Sequence, residues 1–452
     1  MPKISVIMPC LNMVRYIRQC VDSVMNQTLT EMEILIIDAG STDGTLDILQ
    51  EYISLDPRIR IIPSDKRSYG YQVNLGIKEA RGEYIAIVDT DDKIVPDMYE
   101  ALYPIAVETG ADYVKGTAQS FYTITDRECY QVPVSPFLKE EYGENGTIEV
   151  CPKRMPQLLT KDNFLWYGIY RNDFLKQVSL HESPGAAFQD LGGLLQTQLY
   201  ARKAVYISKP VYEYRQDNIN ASTYNTNGFH FIWNEYTWAE QFLQGQPSEW
   251  ISSFYYKLFL HFMDRMHAMA VSGVFWEEAL PDMQLIVEKL KGAHKNGSLI
   301  EKNIPEGHWE DLCLLWNNPF LLFEKYKNVY AESRIPLQNI IKFLGRDSGV
   351  IFGCGRIGSF VHGQFLLRGL KNIAAYCDNN PAVQGSFQYD VEILSPTQAA
   401  KKFPEAKYIV ANKLYGDKLL KQLLDLGIKR NNIMVYFAGT DMRLFRDTQV
   451  TE

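Results

Sequence analysis

The chain has 452 residues, enough for two or three domains. With 46% hydrophobic and 22% charged residues, it has the composition of a globular protein with a sizeable core and gives no reason to expect long disorder. Its net charge of −8 argues against general nucleic-acid binding, no apolar run reaches membrane-spanning length, and seven cysteines scattered without paired spacing fit a reducing cytoplasm better than a disulfide framework.

The N-terminus runs directly into a strand pattern, with no signal peptide expected before it. Ile4-Ser5-Val6-Ile7-Met8-Pro9 is a short apolar run stopped by proline, as in a central parallel strand. Residues 14–25 place Val14, Ile17, Val21 and Val24 at helical spacing. A second strand over 33–38 ends in Asp38, and the small, capping residues at 39–45 open a helix reaching about Leu55. Backbone N–H groups are left free near that strand end, as at anion sites and equally as in an ordinary βα turn. A strand over 59–62, a helix over 70–80 and a strand over 84–88 follow. Such alternation predicts an α/β fold with a mainly parallel, doubly wound sheet, its strand ends Asp38 and Asp89 on one edge.

The fourth strand, Tyr84-Ile85-Ala86-Ile87-Val88, runs straight into Asp89-Thr90-Asp91-Asp92. A buried strand that ends in acids holds carboxylate oxygens rigidly at the ligand-binding edge of the sheet. If the chain bends at Thr90, Asp89 and Asp91 turn toward one point and suit Mg²⁺ or Mn²⁺, completed by water and substrate phosphates. An acidic turn capping the next helix explains the same residues.

In this order and spacing, several segments together resemble family 2 glycosyltransferases of the GT-A fold. They are Ser5 to Asn12, Ser23 to Thr28, Ile37 to Thr45, Asn74 to Ile77, Ala80 to Ile85 and Asp89-Thr90-Asp91-Asp92. The resemblance covers residues 1 to about 225 and implies that Asp89-x-Asp91 is the metal motif. Asp91 would bind the cation directly and Asp89 through water or on the donor ribose, with Asp92 behind them. It places the nucleotide base near Pro9, Asn12 and Asp38. Many family members carry two acids where this chain has Asp38-Ala39, and Ala39 cannot accept the hydrogen bond from uracil. A UDP-sugar is nonetheless the first donor to consider.

The acceptor side follows the acids. Residues 112–116 read as a strand, 125–156 as an irregular stretch able to act as a lid, and 166–171 as the segment before an acceptor helix. An inverting transferase needs a base for the acceptor hydroxyl. The resemblance assigns this role to the Asp of a Glu-Asp pair; here the pair is Gln189-Asp190, so Asp190 matches and its neighbour does not. A helix cap is the alternative role for Asp190, and the family order favours the base. Arg215, in Tyr212-Glu213-Tyr214-Arg215, is placed to steady a departing diphosphate or to lie at the surface. His181 receives no role.

From about 229 to 346 aromatics crowd at helical spacing, first of all as core. The expected domains are thus 1–225, a GT-A glycosyltransferase domain; 226–345, a helical linker; and 346–452, a small Rossmann-like domain. In the last, strand 349–352 leads into Gly353-Cys354-Gly355-Arg356-Ile357-Gly358, with Asp378 some 20 residues on, the context of a dinucleotide fingerprint. About a hundred residues are too few for both halves of a dinucleotide fold. A nucleotide pocket and a docking or oligomerisation module are weighed equally.

Two readings of the whole remain. One is an inverting, metal-dependent transferase using a nucleotide-sugar donor and a saccharide or lipid-linked acceptor in cell-surface polysaccharide synthesis. It would be cytoplasmic, with room for peripheral membrane association at the inner face and for homo-oligomers, and without nucleic-acid partners. The other is a catalytically idle sugar-nucleotide-binding or scaffold protein.

Overall fold

A computed structural model of the chain describes residues 1–124, 127–183, 187–218, 227–331, 337–412 and 415–436. In its first sheet, β1 (Ile4–Cys10), β2 (Met32–Asp38), β3 (Ile59–Pro63) and β4 (Tyr84–Ile87) alternate with α1 (Ile17–Met25), α2 (Thr45–Leu55) and α3 (Tyr69–Glu79). The four strands are parallel. Every residue of β1 and β2 is buried, as continuous apolar runs covered on both faces require. Helix α3 packs so closely on β1 that a methyl group on Gly76 would overlap Ile7.

Beyond these strands the expectation of a mainly parallel sheet is corrected. After β5 (Lys93–Ile94) and α4 (Met98–Thr109) come β6 (Tyr113–Ile124), β7 (Arg127–Tyr130), β8 (Thr147–Val150) and β9 (Gly168–Arg171). Helices α5 (Asn172–Leu175) and α6 (Asp190–Tyr200) then lead to β10 (Ala204–Arg215). Strand β9 runs antiparallel to β4 and β6, and β10 antiparallel to β5 and β8. The result is a mixed sheet of ten strands in the order β3-β2-β1-β4-β9-β6-β10-β5, with β7 on β6 and β8 on β10. Parallel pairing needs a crossover of helix length, and the chain from β6 to β9 contains none among the described residues. The stretch 125–156 is therefore not the irregular lid expected: it carries β7, β8 and short 3₁₀ turns at Lys139–Glu141 and Pro152–Arg154. Residues 125–126 lie outside the described chain.

The helical spacing after residue 226 appears as α7 (Gly228–Ala239), α8 (Ser248–Ser272), α9 (Leu280–Lys295), α10 (Glu306–Asn317), α11 (Pro319–Ala331) and α12 (Leu337–Leu344). Phe229, Tyr236, Phe254 and Phe259 are fully buried, so these aromatics are core. No described helix is long and apolar enough to cross a membrane.

The second sheet contains β11 (Gly349–Phe352), β12 (Ile373–Cys377), β13 (Phe387–Gln388), β14 (Val391–Leu394), β15 (Lys407–Val410) and β16 (Ile433–Val435) in the order β13-β14-β12-β11-β15-β16. All pairs but β13–β14 are parallel. Helices α13 (Arg356–Leu367), α14 (Pro396–Lys402) and α15 (Gly416–Asp425) lie between successive strands in the chain. The strand order reverses between β11 and β15, the switch point where open α/β sheets bind ligands. By compactness the chain divides into two units, one of residues 1–119, 133–263 and 278–312, the other of 120–132, 264–277 and 313–452.

Candidate active site

The loops after β1 and β2 are tied to each other. Asp38 is 4% exposed and both its carboxylate oxygens are engaged. One accepts the N–H groups of Gly40 and Ser41 at 2.9 and 3.0 Å, the other the Ser41 hydroxyl at 2.5 Å. Asn12 is left-handed (φ 55°), a conformation asparagine tolerates, and its side-chain oxygen accepts the Thr42 N–H at 2.8 Å. Its own N–H donates to the Ser41 hydroxyl at 2.8 Å. Pro9 is buried and its carbonyl accepts the Thr90 hydroxyl at 2.8 Å. Pro9, Asn12 and Asp38 therefore shape one rim of the sheet edge, and Asp38 does so with its carboxylate already satisfied.

The acids after β4 form a turn: the Asp92 N–H donates to the Asp89 carbonyl at 3.0 Å, the bend at Thr90 that the sequence required. Asp92 faces inward, 1% exposed, and takes the Tyr212 hydroxyl at 2.8 Å and the Arg215 N–H at 2.7 Å. It fastens the end of β10 to the acidic turn. Asp91 keeps more of its reach. One carboxylate oxygen accepts the Asn218 amide at 2.6 Å, and burial raises its pKa.

Asp89 is the least satisfied of the three. Its Oδ1 is buried without a hydrogen-bond partner. Burial and then the Asp91 charge push its carboxyl up to about 8, against a hydrogen bond from Tyr69 that lowers it. Tyr69 is the first residue of α3. The same hydroxyl lies in the field of Asp190, the first residue of α6, so the two acids face a common tyrosine.

Asp190 is held above the ordinary carboxylate range by burial, while Lys257 and Lys115 pull it down. Lys115 is 0% exposed. Its ammonium donates to Asn163 Oδ1 at 2.8 Å and to the Phe164 carbonyl at 2.6 Å, among the rings of Tyr113, Tyr167 and Tyr170 at 5.0, 5.2 and 5.5 Å. Burial holds its pKa well below the usual lysine range. Arg215 is 6% exposed rather than at the surface. Its guanidinium donates to the Asp91 carbonyl at 2.6 Å, pairs with Asp217 at 3.3 Å and lies 4.8 Å over the Tyr16 ring.

Tyr69 and Lys115 belong to this constellation, as does Glu235, whose carboxylate accepts the Ser183 hydroxyl and lies in the field of Asp190, and all three were missed from the sequence. A lysine inside the apolar strand Tyr113-Val114-Lys115 was a usable signal, because charge in a buried strand needs a reason. So was Glu235, which shares the helical face of the buried Ile232, Tyr236 and Ala239. Tyr69 had none.

The donors at Asp89 and Asp91 are oxygen only, and one is an unpartnered buried carboxylate oxygen. That fits a hard divalent cation completed by phosphate and water. Among the described residues no group of three or more His, Cys, Asp or Glu side chains is arranged to hold a metal by itself.

The fingerprint residues of the second unit are arranged differently. Gly353 is left-handed (φ 105°), and a methyl on Gly358 would overlap its carbonyl. Gly355 faces open space. Asp378 turns back onto the loop. One oxygen accepts the Cys354 N–H at 3.0 Å and the Cys354 thiol at 3.3 Å, and the other accepts the Asn380 N–H at 2.9 Å.

Residues 5–147 match the family model described as Glycosyl transferase family 2. Among curated proteins, the Escherichia coli glycosyltransferase YibD is 28% identical over 229 residues, 50% of this chain and 65% of that protein. Glycosyltransferase GlyG of Streptococcus pneumoniae is 28% identical over 227 residues, 47% of this chain and 70% of its own. Chondroitin synthase of E. coli is 42% identical over 99 residues, 22% of this chain and 14% of its own. The chain thus spans just under two thirds of the first of these relatives and far less of the last. Among solved structures, Staphylococcus aureus TarS 1–349 in complex with UDP-GlcNAc superposes with a TM-score of 0.53 at 18% identity, covering 72% of this chain and 90% of that one. At that identity the likeness concerns the fold.

Proposed function

Since the chain carries a family 2 glycosyltransferase domain on a GT-A fold, we propose that it is an inverting, metal-dependent glycosyltransferase that moves a sugar from a nucleotide-diphosphate sugar to a saccharide or lipid-linked acceptor in cell-surface polysaccharide synthesis. One observation carries this reading: the buried, unpartnered Asp89 Oδ1, beside Asp91 and facing Asp190 around the Tyr69 hydroxyl. Four ionisable groups crowded at one sheet edge, with an oxygen left unsatisfied, are costly for a site that binds nothing.

In this reading Asp190 accepts the proton of the acceptor hydroxyl as its oxygen attacks the anomeric carbon. The bond from that carbon to the diphosphate oxygen breaks, and the diphosphate leaves with the electron pair. Burial raises the proton affinity of Asp190, which suits a base that must hold a proton in the transition state. Asp91 and Asp89 would hold Mg²⁺ or Mn²⁺, which supplies positive charge for the departing diphosphate. Arg215 acts through the acidic turn, since it grips the Asp91 carbonyl. A UDP-sugar is the first donor to try: the TarS fragment is described with UDP-GlcNAc, and the likeness to a chondroitin synthase supports a polysaccharide product.

Transfer and slow donor hydrolysis across a panel of sugar nucleotides, with and without Mn²⁺, test the proposal. One donor should be consumed in a metal-dependent way. Asp190→Asn should lower transfer by roughly 10²- to 10⁴-fold while leaving donor binding nearly intact. Equal loss of binding and transfer would make Asp190 structural.

A further inference from the structure

Gln189, next to the proposed base, sits at the centre of a hydrogen-bond chain with a fixed direction. Its Oε1 accepts the Gly70 N–H at 2.8 Å, and its Nε2 donates to the Ser183 hydroxyl at 2.7 Å and to the Ser183 carbonyl. The Ser183 hydroxyl in turn donates to Glu235 Oε1 at 2.6 Å. His181 Nδ1 lies 3.0 Å from the same oxygen, and Glu235 Oε2 is buried without a partner. Glu235 is 0% exposed.

A carboxylate only accepts. The Ser183 proton must therefore point at Glu235, so the Ser183 oxygen must accept from Gln189. That leaves the Gln189 carbonyl facing Gly70. Reversing the amide would set its NH₂ against the Gly70 N–H and its oxygen against the Ser183 carbonyl. Gly70 follows Tyr69, and Gln189 precedes Asp190. The Gly70 N–H and the Ser183 carbonyl set the orientation of the amide that joins the starts of α3 and α6, and the Glu235 carboxylate, by taking the Ser183 proton, adds a third restraint in the same sense.

The packing holds Glu235 in place. One turn further along α7, Trp238 stacks on the His181 ring, with centroids 4.9 Å apart and planes 11° apart. Its other neighbour is α6, where a methyl on Gly192 would overlap the Trp238 ring. A methyl on Gly70 would overlap the His181 carbonyl oxygen, so the 180–183 segment meets the start of α3 backbone to backbone.

We propose that Glu235 is a positioning residue for transfer: through Ser183 and Gln189 its carboxylate sets the register between Asp190 and the Tyr69 turn. The kinetic part of this rests on the transferase reading; the positional part does not.

Glu235→Gln keeps the shape, removes the charge and frees the Ser183 proton from its fixed direction, so the Ser183 hydroxyl no longer has to accept from Gln189. Its kcat should fall roughly tenfold, with donor KM within about twofold and melting temperature unchanged or higher. Gln189→Glu sets two carboxylates against one Ser183 proton and should cost more, roughly a hundredfold. The exchange Glu235→Gln with Gln189→Glu leaves one carboxylate for the Ser183 proton and should recover at least about tenfold over Gln189→Glu alone. Wild-type kcat in Glu235→Gln, or no recovery in the exchange, overturns the proposal. Amide hydrogen exchange reads it without activity. Protection at Gly70 should fall in Glu235→Gln while the remainder of α3 holds, and unchanged protection there also overturns it. Transfer surviving in Asp190→Asn would instead remove Asp190 as the base, and no transfer by the wild type with any donor would remove the transferase reading; either leaves the exchange result standing.

Discussion

Each of the two sheets ends an inner strand in an acid motif at its carboxyl edge, and the two edges are in opposite conditions. After β4, Asp89 has a buried oxygen with no partner and a carboxyl pushed up to about 8. After β12, Asp378 spends one oxygen on Cys354 in the loop after β11 and the other on Asn380 in its own loop. The first edge carries an unsatisfied oxygen, which a cation and phosphates would satisfy in the proposed function. The second is already complete. Spacing alone makes both look like nucleotide sites, but the unsatisfied oxygen is found at the first edge, where a ligand would repay desolvation.

The largest effect that sharpens this contrast is a trade of activity for stability at the first edge. Asp91→Asn should lower transfer by roughly 10²- to 10³-fold, the scale of losing an electrostatic group at a reacting centre. It should also raise the melting temperature of the metal-free protein, because a buried charge among like charges is removed. A melting temperature that falls together with activity would make the acids structural and erase the difference between the edges.

Acid should act on the two units with opposite sign. Asp89 has a raised folded-state pKa, so its contribution to stability is fully present below the unfolded value near 4 and is lost as pH rises through about 8. His362 in the second unit is 2% exposed, and burial lowers it to about 4. Its contribution is present above the unfolded value near 6.5 and is lost as pH falls through about 4, at a cost of about 3 kcal/mol. Its Nδ1 lies 2.9 Å from the Tyr376 hydroxyl. His362→Gln keeps a partner for that hydroxyl and should remove the acid-sensitive part of a melt followed from pH 7 to pH 4. A variant as acid-sensitive as the wild type would show that His362 is not the group that titrates.

How far the sequence reaches depends on the distance between partners along the chain. The alternation of apolar runs and amphipathic stretches to residue 92 specifies β1 to β4 because each element carries its own period. From β6 to β9 the described strands follow one another without an α-helix between them, and their antiparallel pairing depends on partners far away, such as β9 with β4. The acids were readable for the same reason as the first strands: Asp89, Asp91 and Asp92 stand within four residues of one another. Glu235 meets His181 and Ser183 across about fifty residues, and no local pattern announces such a meeting. Asp378 shows the opposite case. Its spacing from the glycines was legible, but which way its carboxylate turns depends on the Cys354 and Asn380 amides.

A smaller test separates the acids directly. Asp378→Asn should cost about 1–2 kcal/mol of stability, the worth of hydrogen bonds to a charged acceptor, with donor turnover unchanged. That is the reverse of Asp91→Asn in both readouts. Donor turnover falling in step with stability would tie the second edge to the reaction.

The smallest expected effect concerns the glycines of the fingerprint. Gly358 has no room for a side chain, because a methyl there meets the Gly353 carbonyl. At Gly355 nothing lies within 4 Å of the place a methyl group would take, and φ is −71°, a value any residue adopts. Gly355→Ala should therefore change stability by less than about 1 kcal/mol, and in the favourable direction, because alanine has fewer unfolded conformations to lose. The fold needs the first and third glycines and leaves the second unexplained by packing. Calorimetry of the full chain with NAD, UDP-sugars and S-adenosylmethionine decides what that freedom is for. Heat that appears with one of them in the wild type and disappears in Gly355→Ala, at unchanged stability, would show that the second edge binds a nucleotide through backbone approach, despite its satisfied acid. The contrast between the edges would then lie in how each meets phosphate, by a cation at the first and by bare backbone at the second.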